Sequence, residues 1–144
     1  MNVKRKDLLY KIIFYKDSKG REPVYEYIKE LEGRKDKDSK IKSRKINDYI
    51  QALGEYGTGI REPYIKHIEG EIWELRPLRD RIFFACRGDD SFVLLHYFVK
   101  KTQKTPRNEI EKAKREYRSL LTLTGDEDGN GKEDEQQTSG KNMG

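Results

Sequence analysis

The sequence predicts an α+β fold: a twisted antiparallel sheet with an N-terminal helix pair on one face and a C-terminal helix that closes the domain. Three observations support this prediction. Apolar residues alternate with a period of two in the centre of the chain and recur at helical spacing on both sides of it. Short turns separate the central segments, as in an antiparallel meander. Proline and glycine residues mark the expected ends of the helices.

The N-terminal part predicts one strand and two helices. Residues 8–16 are rich in Leu, Ile, Tyr and Phe and predict a strand that ends at a polar turn. The first helix begins at Pro23 and ends at Gly33, and the second begins near Asp38 or Ser39 and ends at a glycine-rich segment. The apolar stripe of the second helix consists of Ile41, Ile46, Tyr49, Ile50, Leu53 and Tyr56. We expect the two helices to form a hairpin.

The central part predicts four strands, and a helix follows them. The strands are expected at residues 64–68, 72–76, 81–87 and 92–99. The last helix has Thr105 as its expected N-cap and Pro106 as its first residue. Its apolar face consists of Ile110, Ala113, Tyr117, Leu120 and Leu121.

Charge divides the chain into a predicted domain, residues 1–124, and a predicted disordered tail, residues 125–144. The whole chain carries a net charge of +5. The tail holds six acidic residues and two lysines, a net charge of −4, which leaves +9 for the domain. The tail also lacks the aromatic and branched apolar residues that would offset the entropy of ordering it. A basic domain of this size favours an anionic partner, and nucleic acid is the commonest.

Several classes of protein are disfavoured by composition. No apolar run approaches the roughly 20 residues that a membrane helix requires, and the N-terminus lacks the apolar core of a signal peptide. The single cysteine, Cys86, excludes an intrachain disulfide and a cysteine-rich zinc site. With only two histidines, His67 and His96, we expect neither a metal nor another cofactor, and we expect a cytoplasmic protein.

Strand alternation predicts a cluster of cations at one end of the sheet. Glu74 and Arg76 are expected on the face opposite Trp73 and Leu75, and Arg81 is expected on the same open face as Glu74 and Arg76. Because a tight hairpin joins these strands, the two arginines lie close together, with Arg79 on the turn between them. The lysines Lys100, Lys101 and Lys104 follow the last strand and lead to the N-terminus of the final helix, where an anion is favoured.

Each of these signals also has a purely structural interpretation. In a chain with 31 lysines and arginines, three arginines around one turn are often a solvated rim. His96 lies within an apolar strand and is more often a buried residue with a hydrogen-bond partner than a catalyst. His67 shares a short strand with Lys66, and for it the structural and functional interpretations are closer to equal.

Four segments in order resemble the RelE/ParE toxin superfamily, and more narrowly its phage-derived, HigB-type branch. The segments are Glu71-Ile-Trp-Glu-Leu-Arg-Pro77, Arg81-Ile-Phe-Phe-Ala85, Leu95-His-Tyr-Phe-Val-Lys-Lys-Thr-Gln-Lys-Thr-Pro106 and Glu109-Ile-Glu-Lys-Ala113. The resemblance covers roughly residues 8–121. It implies the toxin of a type II toxin–antitoxin pair, which cuts messenger RNA on the ribosome without a metal and is silenced by a small antitoxin protein.

The resemblance also implies roles for individual residues. Arg81 matches an arginine that opens the equivalent strand and would stabilise charge on the phosphate, with Arg76 completing the clamp. Lys101 would contact the same phosphate or protonate the leaving group. Glu74 is the first choice as general base and Glu62 the second, although Glu74 is equally suited to be the ion-pair partner of Arg76. Further RNA contacts are expected from Lys66, His67, Arg79, Lys100 and Lys104.

Two departures from the family pattern bear on this mechanism. Some members have lysines where this chain has Glu74 and Arg76, and some have a tyrosine where it has Ile110. Two other functions therefore remain open, a ParE-like protein that inhibits DNA gyrase without cutting nucleic acid and a non-catalytic basic binding module. The convergence of Arg76, Arg81 and the lysines favours RNA, because a gyrase inhibitor has no need of grouped phosphate-binding side chains.

Overall fold

The computed structural model describes residues 9–124, and the predicted order of elements is confirmed. The strands are β1 (Lys11–Phe14), β2 (Ile65–Glu69), β3 (Ile72–Leu75), β4 (Asp80–Arg87) and β5 (Ser91–Val99). The helices are α1 (Pro23–Gly33), α2 (Lys37–Tyr56) and α3 (Arg107–Thr124), with a short 3-10 helix at Gly57–Ile60. The predicted tail, residues 125–144, lies outside the described residues.

The five strands form one sheet in the order β1-β5-β4-β3-β2. The expected meander is present, because β2, β3, β4 and β5 pair with their neighbours in antiparallel fashion. The prediction of a wholly antiparallel sheet is wrong for β1, which runs parallel to β5, with Lys11 opposite Ser91 and Phe14 opposite Leu94. The α1–α2 hairpin lies between β1 and the meander in the chain, and the apolar pattern of a strand carries no information about its direction.

The helix pair packs on one face of the sheet. Apolar side chains from both helices and from the strands beneath them form the core, namely Val24, Tyr27, Ile28, Leu31, Ile46, Leu53, Ile65, Leu75, Ile82, Phe84, Phe92 and Leu94. Helix α2 begins at Lys37 because the Asp36 carboxylate accepts a hydrogen bond from the Ser39 backbone N–H. It ends at Gly57, whose φ of 62° suits glycine. Tyr56 is 64% exposed, so its predicted place on the apolar stripe is wrong.

The opposite face of the sheet is also covered, which the sequence did not predict. Phe83, Ala85 and Leu95 are completely buried there. The first turns of α3 contact this face through a bond of 2.9 Å between Glu109 Oε1 and His96 Nε2. Helix α3 begins at Arg107, so the predicted N-cap, Thr105, lies one position before the observed N-cap position, Pro106. The chain divides into two units between Ala113 and Lys114, inside α3.

Two features bearing on function were sought in residues 9–124. No helix there combines the length and apolar character needed to cross a membrane. Within the same residues, no three His, Cys, Asp or Glu side chains form a group suited to hold a metal ion.

Candidate functional site

A narrow cleft opens at the end of the sheet where β3, β4 and β5 meet the segment before α3. It is lined by Arg76, Arg81, Phe98, Lys100, Gln103, Lys104 and Thr105. The β3–β4 hairpin brings the two arginines together, as predicted. The end of β5 and the following connection bring the lysines to the other side, so four cations from separate segments converge on one depression.

Glu74 lies completely buried behind these cations. Its Oε2 accepts a hydrogen bond of 2.9 Å from the Thr105 hydroxyl, and its Oε1 is 3.3 Å from Arg76 Nε and 4.0 Å from Arg81 Nε. Within the described part of the chain, neither Glu74 Oε1 nor Arg76 Nε has a hydrogen-bond partner. Glu74 thus supplies one negative charge to two guanidinium groups and ties them to the segment that precedes α3.

Arg81 is held by the backbone of the hairpin as well as by charge. Its Nη1 donates to the carbonyl oxygens of Leu78, at 2.8 Å, and Asp80, at 2.9 Å. Leu78 has a φ of 56°, in the left-handed region that a leucine rarely adopts. Burial lowers the pKa of Arg81, and the nearby Arg76 lowers it further while Glu74 opposes the shift. At 7% exposed, Arg81 does not lie on the open face that the sequence predicted.

Arg79 and Lys100 join the hairpin turn to the end of β5. The Arg79 guanidinium donates to the Lys100 carbonyl at 2.8 Å, and the Lys100 N–H donates to the Arg79 carbonyl at 2.8 Å. Part of the hydrogen-bonding capacity of Arg79 is therefore used inside the protein. The Lys100 backbone is fixed next to the arginine pair, and its side chain lines the cleft.

Besides Glu74 and Arg79, four of the predicted site residues lie outside the cleft lining. Lys101 is exposed and adjoins the lining residue Lys100. Lys66 pairs directly with Glu74 and so shares its face. His67 pairs with Trp73 on the other face, stacks edge-on against that ring at 5.0 Å and bonds to the Gly70 carbonyl at 2.8 Å. Glu62 is exposed in the turn before β2.

Three lining residues were missed by the sequence analysis. Gln103 and Thr105 belong to the conspicuous Lys-Lys-Thr-Gln-Lys-Thr-Pro segment, where only the lysines were considered. Phe98 is the third, and phenylalanines in this sequence are expected in the core. Its register opposite Arg81 is the signal that marks it as a cleft residue, and that register depends on an irregularity between Ile82 and Phe84.

His96 belongs to the packing beneath the cleft. It is 2% exposed, its Nε2 lies 2.9 Å from Glu109 Oε1, and its ring centroid lies 5.0 Å from that of Phe83. The interpretation of His96 as a buried residue with a polar partner is therefore confirmed.

The cleft combines an excess of positive charge with donors of different geometry. The guanidinium donors that are not used inside the protein can bind phosphate oxygens, and the lysine ammonium groups bind as point charges. Glu74 offsets one charge without filling the cleft. In chemical terms the arrangement suits a phosphodiester and the additional negative charge that develops when such a bond is attacked.

Comparisons with known proteins give the family. Residues 21–118 match the model described as phage derived protein Gp49-like (DUF891). A search of curated proteins found no match. The family model spans α1, α2 and the whole meander, together with all the residues that line the cleft. The chain therefore belongs to the Gp49-like phage-derived family, part of the RelE/HigB-like toxin group, whose members are commonly toxin-like and in general have an antitoxin partner.

Proposed function

We propose that this protein is the toxin of a type II toxin–antitoxin system and acts as a metal-independent, ribosome-dependent endoribonuclease on messenger RNA. The cleft carries the proposal, because Arg76, Arg81, Lys100 and Lys104 converge there from three segments of the chain. A solvated rim would not bury Arg81 or place a fully buried carboxylate behind the cations. The family supports the toxin assignment.

The proposed reaction uses only groups of the RNA and of the protein. The 2′-oxygen attacks the adjacent phosphorus, the bond from phosphorus to the 5′-oxygen breaks, and the products are a 2′,3′-cyclic phosphate and a 5′-hydroxyl. A base removes the 2′ proton and an acid gives a proton to the 5′-oxygen. Arg81 and Arg76 would stabilise the phosphorane, and Lys100 and Lys104 would bind the phosphate or protonate the leaving oxygen.

The position of Glu74 favours one of its two proposed roles. Its Oε2 is already bonded to Thr105, its Oε1 faces Arg76 and Arg81, and the residue has no exposed surface. A 2′-hydroxyl would have to displace a guanidinium to reach it. We therefore propose that Glu74 orients the arginines, and that Glu74 as base is the alternative that mutation should exclude.

We expect the reaction to depend on the ribosome because the cleft lining contains few candidate catalytic groups. Its side chains provide charge stabilisation, while the candidate bases Glu74 and Glu62 are either buried or outside the lining. Holding a 2′-hydroxyl in line with its phosphate lowers the barrier by several kcal/mol, and a ribosome that fixes the message can supply that orientation.

Induced expression of the protein in a bacterial host tests the proposal. We expect rapid arrest of amino-acid incorporation, with gyrase supercoiling activity unchanged. Co-expression of the cognate antitoxin, a small protein partner, should restore growth. If translation continues while stalled gyrase and DNA breaks accumulate, the ParE-like inhibitor function replaces the proposal.

A further inference from the structure

Phe98 is an aromatic ring among the cations of the cleft. It lies directly opposite Arg81 in the β4–β5 pairing, so both side chains are on the cleft face. Unlike Phe83 and His96 on the same face, which are buried, Phe98 is half-buried and lines the cleft. The exposed part of the Phe98 ring adds little to the stability of the fold, so its position in the cleft is better explained by contact with a ligand.

The ring is held from behind by other rings. Phe83 lies with its centroid 5.6 Å from that of Phe98, and His96 lies 5.0 Å from Phe83. This series of rings, His96, Phe83 and Phe98, starts beneath α3 and ends at the cleft. Because Phe83 is fully buried, the Phe98 ring has limited freedom to move, and a flat partner would lose little entropy by stacking on it.

Among the described residues, no cation covers the Phe98 ring. Within residues 9–124, cation–π contacts form at Tyr25 and Tyr27, on the helix side, and not at Phe98. The arginines beside it are instead tied to Glu74 and to the backbone of the hairpin. The Phe98 ring is therefore half-buried at the cleft lining and has no cation–π partner among these residues.

We propose that Phe98 is a stacking platform for a nucleobase of single-stranded RNA, next to the phosphate held by Arg76 and Arg81. Every nucleobase has a flat face that stacks on an aromatic side chain, while its own backbone supplies the phosphate. Gln103, on the same cleft, carries an amide that both donates and accepts hydrogen bonds at a base edge. This inference deepens the proposed function and rests on it.

A binding experiment with an uncleavable probe tests the stacking platform. The probe is a short 2′-O-methyl RNA with 2-aminopurine at each position in turn, because the fluorescence of this base is quenched when it stacks. The purified full chain should quench one position strongly. Phe98→Leu, which keeps an apolar side chain against Phe83, should abolish the quenching and weaken binding by about tenfold to a hundredfold. Phe98→Tyr keeps the ring and should restore both properties.

Two controls separate stacking from loss of structure. Phe14→Leu makes the same change at a half-buried phenylalanine on β1 and should leave quenching unchanged. An oligonucleotide with abasic sugars should bind equally well to the wild type and to Phe98→Leu, because its phosphates are still recognised. Equal quenching by Phe98→Leu and the wild type, or absence of quenching or binding by the wild type, would overturn the inference.

Phe98→Leu also allows the stacking platform and the proposed ribonuclease function to be tested separately. If Phe98→Leu still cleaves translated messages at the wild-type rate, the ribonuclease proposal survives and the stacking platform is rejected. If the wild type quenches the probe but messages remain intact in cells, base stacking stands and ribonuclease activity is rejected.

Discussion

The two faces of the sheet bury charge in different ways. On the helix-pair face, Asp80 is 1% exposed, accepts a hydrogen bond of 2.7 Å from the Tyr27 hydroxyl and lies 3.6 Å from Lys42 Nζ. On the cleft face, Glu74 faces two guanidiniums. One carboxylate and one cation make the first group nearly neutral, whereas the second keeps an excess positive charge. The comparison favours a structural role for the first group, and the proposed function gives the second group a ligand.

The surroundings of the two carboxylates support this distinction. The Tyr27 ring stacks on Tyr97 with centroids 3.8 Å apart, and burial together with the Asp80 hydrogen bond raises the pKa of Tyr27 far above its ordinary value. Its hydroxyl therefore remains a donor to Asp80 throughout the physiological range. On the cleft side, the cations of the described residues border a surface depression.

The largest effect on activity is expected from Arg81→Ala. Removing a guanidinium from the developing phosphorane should slow message cleavage by about a hundredfold or more. The variant also loses bonds to the Leu78 and Asp80 carbonyls, so its free energy of unfolding should fall by about 1–3 kcal/mol. Cleavage in a cell-free translation extract and denaturant unfolding measure the two effects separately.

Arg87→Ala is the matched control for that variant, because Arg87 lies on β4 but at its far end, opposite Ser91. It should cleave messages at nearly the wild-type rate. Equal activity of both variants would show that Arg81 serves the structure of the hairpin and not the reaction. Arg81→Lys keeps the charge but not the planar group, so intermediate activity would show that geometry matters in addition to charge.

Tyr27→Phe should affect stability without affecting activity. The change leaves the ring on Tyr97 but removes the hydroxyl that bonds to buried Asp80, and we expect the free energy of unfolding to fall by about 1–3 kcal/mol. The cleavage rate of the folded fraction should be unchanged. If the fully folded variant loses activity, the helix-pair face and the cleft face of the sheet are functionally coupled.

Glu74→Gln distinguishes the two roles proposed for Glu74. The amide still accepts the Thr105 hydrogen bond but no longer offsets the charges of Arg76 and Arg81. If Glu74 only orients the arginines, RNA should bind more tightly and the cleavage rate should change by less than about tenfold. Loss of a general base would instead slow cleavage by about a hundredfold to ten-thousandfold and remove the acidic limb of the pH–rate profile.

The smallest effect is expected from Lys101→Ala. Lys101 is exposed and outside the cleft lining, so its contribution through a screened charge should change RNA affinity by no more than about fivefold. Lys104→Ala is the paired variant and should weaken binding more, because Lys104 lines the cleft. The salt dependence of oligonucleotide binding provides the measurement. A larger loss of affinity for Lys101→Ala than for Lys104→Ala would mean that the phosphate binds nearer to Lys101.

Local patterns were enough to predict most of the fold. Alternation identified β2 to β5, and Pro23 and Gly33 marked the bounds of α1. The parallel pairing of β1 with β5 is a tertiary property, because either direction satisfies the same apolar pattern. The displacement of Thr105 from the N-cap has a similar cause, since its hydroxyl bonds to a residue 31 positions away.

The candidate site was predictable in part. The hairpin placed Arg76 and Arg81 together, since a short turn leaves little freedom. The burial of Arg81 was not predictable, because it depends on the residues from β5 and from the segment before α3 that surround it. The same long-range packing placed Phe98 and Gln103 in the cleft and left Lys101 outside its lining.

Mapping of RNA 5′ ends after brief induction tests most directly whether the cleft cuts messages. The wild type should generate new 5′-hydroxyl ends inside translated messages, with partner fragments ending in a cyclic phosphate, and few ends in the same RNA without ribosomes. Arg81→Ala at equal protein level should reduce these ends by about a hundredfold. Growth arrest by the wild type with intact messages, or equal numbers of ends from Arg81→Ala, would contradict the assignment of the cleft as a ribonuclease site.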